Sequence, residues 1–287
     1  MTNHHAVTVL FNRSCVLTGP SKPTIGAGEL TKLGPELHYK IVEKKTPLSD
    51  MINADLKCFY RPIDDPDDVE KLKSDNAALS FALNSVASHS PILIGETYIF
   101  KKVKAQKLIT VLPSHNYFSI HESNQLKFKL EKSTTPKKIE ALFEASRISI
   151  DKDPSILISM SRFGTALLRA NIADTYLDLA ISLEALLQVR GELSYQFQTV
   201  LAHLVQQDTS KRLETAGLLK KFYNARSRVV HGDAKPKDYL SEEEFDRFVA
   251  IAKLAVLYKV MWLADHDAKN WRSHLLSIAV GQETPNW

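Results

Sequence analysis

Tyr223-Asn224-Ala225-Arg226-Ser227-Arg228-Val229-Val230-His231-Gly232 is the stretch on which the reading of this chain turns. It closes a run, Ser210–His231, in which Leu218, Phe222, Ala225 and Val229 recur at spacings of four, three and four. That is the period of one face of an α-helix. Gly232 supplies a residue that adopts the left-handed conformation ending such a helix. Each step turns an α-helix by about 100°, so Arg226 falls about 40° from Phe222, beside the apolar stripe. Arg228 falls with Lys221 and Asn224 on the polar side, as an ordinary surface charge.

A guanidinium set against packed side chains requires a partner. The segment Ile172–Val189 offers one: Leu177, Ala180, Glu184 and Leu187 follow at helical spacing, so a carboxylate interrupts an apolar stripe. A Glu184–Arg226 pair that only pins two helices is the plainer alternative to a chemical role. His231 is the last residue before the cap, where the partial negative charge of a helix C-terminus favours imidazolium. A capping histidine without chemistry is the plainer alternative there. Arg226 and His231 are five residues apart, about 140° around an ideal helix. One straight helix does not aim both at one point. Either the last turn unwinds, or a second protomer completes the site.

The quoted stretch resembles the Arg-x4-6-His signature of the HEPN superfamily. It is most similar to the Apea-like branch, whose pattern runs Tyr-x-x-Arg-Ser-x-x-Val-His-Gly. Upstream, Asp178-Leu179-Ala180-Ile181-Ser182-Leu183-Glu184-Ala185-Leu186-Leu187 resembles the family's second-helix stretch ending Leu-Glu-Ala-Leu-Leu. Arg162-Phe163 before it, and Ser194 with Leu201 to Leu204 after it, fall in the family's order. The resemblance covers about half the chain. It implies a homodimer whose paired long helices form one composite cleft, and RNA cleavage without metal. In that chemistry His231 withdraws the 2′-hydroxyl proton or protonates the leaving 5′-oxygen. Arg226 stabilises charge on the phosphoryl oxygens, and Glu184 orients Arg226. The products are a 2′,3′-cyclic phosphate and a 5′-hydroxyl. Asn224, Ser227 and Tyr223 are the candidate substrate contacts. Many catalytic members carry Asn, Asp or His where Ser227 stands, so a non-catalytic HEPN module for dimerisation or nucleic-acid binding is the alternative. The resemblance points to an effector of antiphage defence or of a toxin-like stress response. Besides RNA and a second copy, a protein that neutralises or activates it is an expected partner.

Working outward, the helical period holds from residue 136 to the C-terminus. It predicts helices over Pro136–Arg147, Pro154–Ala170, Ile172–Val189, Glu192–Gln206, Ser210–His231, Glu242–Asp265 and Asn270–Val280. Pro154 suits a first turn, and Ser241 with Glu244 is a capping box. The first 135 residues differ. Short β-branched or aromatic runs recur there: Ala6–Phe11, Leu37–Val42, Leu56–Tyr60, Thr97–Phe100, Leu108–Leu112, Tyr117–Ile120 and Leu126–Leu130. One helix is predicted between Pro66 and Val86, entered through Asp64, Asp65, Asp67 and Asp68. The expected fold class is therefore α+β: a mixed α/β domain over 1–135, then an all-α helical bundle over 136–287. Two basic stretches, Lys101, Lys102, Lys104 and Lys107, then Lys127, Lys129, Lys132, Lys137 and Lys138, read as lysines that keep an edge strand soluble. The sharper alternative is a surface that presents RNA to the second domain.

The totals narrow the function. The chain has 287 residues, room for two domains. Its net charge is +4, and the whole excess lies in residues 1–150, with 20 Lys/Arg against 16 Asp/Glu. Gripping long duplex DNA calls for a larger excess, whereas a nuclease meeting a few phosphates needs less. Two cysteines, Cys15 and Cys58, argue for neither a zinc site nor a disulfide framework, and point to a reducing, cytoplasmic setting. No secretory signal is read. The most apolar run, Phe248 to Ala264, carries Lys253 and Lys259 and is not expected to span a membrane. No dinucleotide, Walker, serine-hydrolase or zinc-protease motif occurs, so no cofactor and no metal are expected. His4-His5 are assigned to a mobile terminus and given no ligand role.

Overall fold

The computed structural model describes residues 4–11, 24–25, 28–32, 57–65, 67–86, 93–101, 107–112, 135–188 and 193–285. The chain divides into two compact units, Met1–Glu144 and Ala145–Trp287.

In the first unit six strands form one antiparallel sheet: β1 His4–Phe11, β2 Thr24–Ile25, β3 Gly28–Lys32, β4 Lys57–Ile63, β5 Leu93–Lys101 and β6 Lys107–Leu112. Their order is β2-β3-β4-β1-β5-β6. The centre is β1, with Val7 opposite Tyr60 of β4 and Tyr98 of β5. The strands at Ala6–Phe11, Leu56–Tyr60, Thr97–Phe100 and Leu108–Leu112 are seen, each with shifted ends. β2 and β3 carry no clear alternation and escaped the sequence reading. His4 and His5 open strand β1, which corrects their assignment to a mobile terminus; pairing with Ile63 and Pro62 of β4 orders them. Helix α1, Val69–Val86, starts after Asp68, whose carboxylate accepts from the Lys71 N–H at 3.0 Å. Ala6, Ile63 and Leu72 form one buried cluster. The runs at Leu37–Val42, Tyr117–Ile120 and Leu126–Leu130, and Lys102, Lys104, Lys127, Lys129 and Lys132, lie outside the described residues.

From Thr135 on, the described residues are mostly helical, with short turns between the helices. Helix α2 (Thr135–Lys152) crosses the boundary between the units; α3 (Pro154–Ala166), α4 (Ile172–Leu187), α5 (Leu193–Val205), α6 (Thr209–His231), α7 (Glu242–Asp265) and α8 (Trp271–Ala279) follow, so the second unit is a helical bundle. Helix α2 runs to Lys152, beyond the expected end at Arg147, because the tail of the helix finds partners. Ser149 Oγ donates to the Val260 carbonyl at 2.8 Å, and Lys152 Nζ caps the end of α7 through the Leu263 and Ala264 carbonyls. Local caps set the other boundaries. Asp153, Asn171, Asp208 and Ser241 each accept from a backbone N–H in the first turn of α3, α4, α6 and α7.

Helix α4 is the axis of the bundle, packed by α3, α5, α6 and α7. It buries Tyr176, Leu179, Ala180, Leu183, Leu186 and Leu187. At its end lies a polar hub. Lys259 of α7 is fully buried, with Nζ 2.8 Å from Asp153, 3.0 Å from Ser155 Oγ and 3.2 Å from the Leu186 carbonyl. Gln188 Nε2 donates to Asp153 at 2.8 Å, and Trp271 Nε1 donates to Leu186 at 2.7 Å. The starts of α3 and α8, the end of α4 and the middle of α7 therefore share one satisfied network. Burial alone pushes the Asp153 carboxyl up, yet the Lys259 ammonium and Ser155 together hold it below its ordinary value. Lysine at 259 thus neutralises a buried acid rather than marking a solvent face. No helix among the described residues is long and apolar enough to cross a membrane.

Candidate functional site

Helix α6 begins on Asp208, which accepts from the Ser210 N–H at 2.9 Å and from its hydroxyl at 2.6 Å. It ends on Gly232 at φ 76°. The Gly232 N–H reaches the Val229 carbonyl and the Asp233 N–H reaches Arg228, a paired closure that satisfies the last carbonyls. Phe222 anchors the helix sideways. Its ring stacks on Tyr176 of α4 at 4.7 Å and on Phe248 of α7 at 3.6 Å. One turn further on, this seating turns Arg226 toward α4.

There Arg226 Nη2 meets Glu184 Oε1 at 3.1 Å, with side-chain exposures of 23% and 24%. The contact is an ion pair without aligned hydrogen bonds: Arg226 Nε and Glu184 Oε1 are both shielded from solvent and lack a hydrogen-bond partner. Burial pushes the Glu184 carboxyl above its ordinary value, and the Arg226 charge only partly opposes this. Tyr223 lies beneath the guanidinium, its ring centroid 5.9 Å from Arg226 Cζ, and packs against Phe197 of α5. A cation held over a ring and beside an incompletely engaged carboxylate keeps donors for an incoming anion.

The other site residues lie elsewhere. Asn224 and His231 are exposed, and Ser227 is half-buried. Helix α6 stays α-helical through His231. The unwinding that would swing the imidazole toward the guanidinium does not occur, and the two side chains stay about 140° apart and about 7.5 Å apart along the axis. One chain therefore joins Glu184, Arg226 and Tyr223 and leaves His231 apart from them. Arg228, expected as a plain surface charge, instead grips Asp238 at 2.8 Å. The Lys235 N–H, then Arg228, hold the Asp238 carboxyl below its usual value. This fixes the segment after Gly232. Farther along, the Leu240 N–H donates to Tyr176 Oη at 2.9 Å, and burial pushes that phenol up to about 12.

No family model, curated protein or solved structure matches the chain. The chemistry must therefore be argued from its own residues.

One polar cluster escaped the sequence reading. Asp178, 3% exposed at its side chain, is held by Arg162 Nη1 on one carboxylate oxygen and by Arg169 Nε on the other, each at 2.7 Å. Asp178 opens the quoted stretch that ends Leu-Glu-Ala-Leu-Leu, and an acid in an otherwise apolar helical run was the available signal. Among the described residues, no group of three His, Cys, Asp or Glu side chains is placed to hold a metal ion.

Proposed function

We propose that the chain is a HEPN-type endoribonuclease of the Apea-like branch, acting as a homodimer on RNA without metal. In this reading residues 1–135 form a mixed α+β domain, residues 136–287 carry the catalytic bundle, and the protein works in the cytoplasm in antiphage defence or a toxin-like stress response. The observation that carries the reading is the partly shielded, under-bonded Arg226 beside Glu184 on the helix that ends in the exposed His231. Pairing of two α6 helices across a two-fold axis brings the guanidinium of one copy toward the imidazole of the other. His231 then moves the proton of the 2′-hydroxyl or of the leaving 5′-oxygen. Arg226 exchanges its loose contact with Glu184 for the phosphoryl oxygens, where bidentate geometry is available.

The separation of Arg226 and His231 within one chain favours a second reading, a non-catalytic module that dimerises or binds nucleic acid. Incubation of the purified full chain with single-stranded RNA in EDTA decides between them. The ribonuclease reading expects 2′,3′-cyclic phosphate ends, lost in His231→Ala and in Arg226→Lys. Wild-type protein that is dimeric and folded yet never cuts, or variants that cut as well as wild type, would establish the module instead.

A further inference from the structure

The segment joining α6 to α7, residues 232–241, starts directly after His231 and is pinned at three points. At its start the Asp233 N–H donates to the Arg228 carbonyl at 3.1 Å, which closes the last turn of α6. In its middle the short 3-10 turn Pro236–Asp238 sets the Asp238 carboxylate. One of its oxygens accepts from the Lys235 N–H at 2.9 Å, and the other from Arg228 Nη1 at 2.8 Å. Near its end the Leu240 N–H donates to Tyr176 Oη at 2.9 Å, and the Tyr239 ring stands edge-on to the Tyr176 ring at 5.1 Å. Tyr176 is fully buried on α4 and stacks on Phe222 of α6. Arg228 therefore holds this segment twice, through its carbonyl and through its guanidinium. It precedes His231 by three residues, so the two are neighbours on the helix surface.

We propose that Arg228 and Asp238 form a latch that positions His231 for the cleavage step. The role in cleavage rests on the ribonuclease reading above, in which the imidazole must reach a phosphate held by the guanidinium of a second copy. His231 is the last residue of α6, and the last turn of a helix opens most readily because its carbonyls lack partners within the helix. Opening carries the imidazole away from the reacting atoms, and a misplacement of about 1 Å costs on the order of a hundredfold in rate. The latch ties that turn to a segment whose far end is fastened at Tyr176. Fraying then requires breaking the Arg228–Asp238 pair as well as the backbone closure. The guanidinium is already engaged by a carboxylate, so Arg228 acts here as a positioning residue rather than as an RNA contact.

Amide hydrogen exchange and single-stranded RNA cleavage by the full chain test it together. Arg228→Ala and Asp238→Ala are each expected to speed exchange of the Val230 and His231 amides at least about tenfold. Each should also lower kcat at least about tenfold while KM stays within about twofold of wild type. Because both residues serve one latch, the double variant is expected to lose no more than either single one. If Arg228 is instead a cation that contacts RNA, Asp238→Ala frees it: KM falls and kcat is unchanged, which overturns the proposal. Exchange at the wild-type rate in both single variants, or losses in kcat that multiply in the double variant, overturns it equally. Wild-type protein that never cuts overturns the ribonuclease reading and with it the role in cleavage; exchange in Asp238→Ala then decides the latch alone, and an unchanged rate removes it too.

Discussion

Replacing Arg226 with Ala tests both the placement of the pair and the chemistry assigned to it. Removing one partner of a fully buried ion pair costs about 3–5 kcal/mol, and of an exposed pair no more than about 1 kcal/mol. Arg226 and Glu184 are 23% and 24% exposed, so the expected loss lies between these, roughly 1–3 kcal/mol. For a domain of this size that lowers the melting temperature by roughly 3–10 °C. His231 is exposed, so His231→Ala removes only a solvated side chain at the helix end and is expected to leave stability within about 0.5 kcal/mol of wild type. The cost of Arg226→Ala arises from a stranded carboxylate, so adding Glu184→Gln recovers part of it. It also depends on pH. The folded carboxyl already titrates above its unfolded value of 4.5, and losing the cation raises it further. A group with a raised folded pKa favours the native state when protonated, so the deficit is full above that pKa and shrinks as pH falls toward 4.5. Thermal unfolding from neutral to mildly acid pH, with RNA cleavage measured below the lowest melting temperature, separates the two effects. Both single variants should lose at least about a hundredfold in cleavage, while only Arg226→Ala loses stability. An Arg226→Ala protein as stable as wild type at neutral pH, or one whose deficit grows on acidification, refutes the reasoning.

Other substitutions probe the frame that holds the site. Lys259→Met keeps the volume but strands Asp153; the Ser155 N–H and Gln188 still serve the carboxylate, so the loss in urea unfolding is expected at roughly 2–4 kcal/mol, and adding Asp153→Asn recovers part of it. Because the folded Asp153 carboxyl titrates below 3.8, it contributes stability above that value and loses it as pH falls through the folded pKa; Asp153→Asn should remove this part of the acid-induced loss, read as a flatter stability curve below about pH 4. At Gly232 a Cβ would meet nothing within 4 Å, so Gly232→Ala isolates the cost of the left-handed backbone. About 1 kcal/mol is expected, with faster amide exchange in the last turn of α6.

Features governed by near neighbours in the chain were legible before folding. Ser241 with Glu244 sets the start of α7, and Gly232 at φ 76° sets the end of α6, through contacts a few residues long. Periodicity likewise put Glu184 and Arg226 on packing faces, because side-chain direction in a helix follows from residue count alone. The strands β2 and β3 were not legible, since they are defined by pairing with other strands rather than by an alternation of their own. Partner choice among distant polar groups was hidden for the same reason. Lys259 is a surface-type residue in any local window, yet packing delivers it, dehydrated, to Asp153, and Asp178 is claimed by two arginines from outside its helix. Whether the last turn of α6 would unwind toward Arg226 was also open in the chain. Folding kept it helical, because the Gly232 closure and the Arg228–Asp238 pair satisfy that turn better than fraying would. Short-range backbone bonds are encoded residue by residue, whereas the identity of a buried charge's counter-ion exists only once remote segments share one dehydrated space.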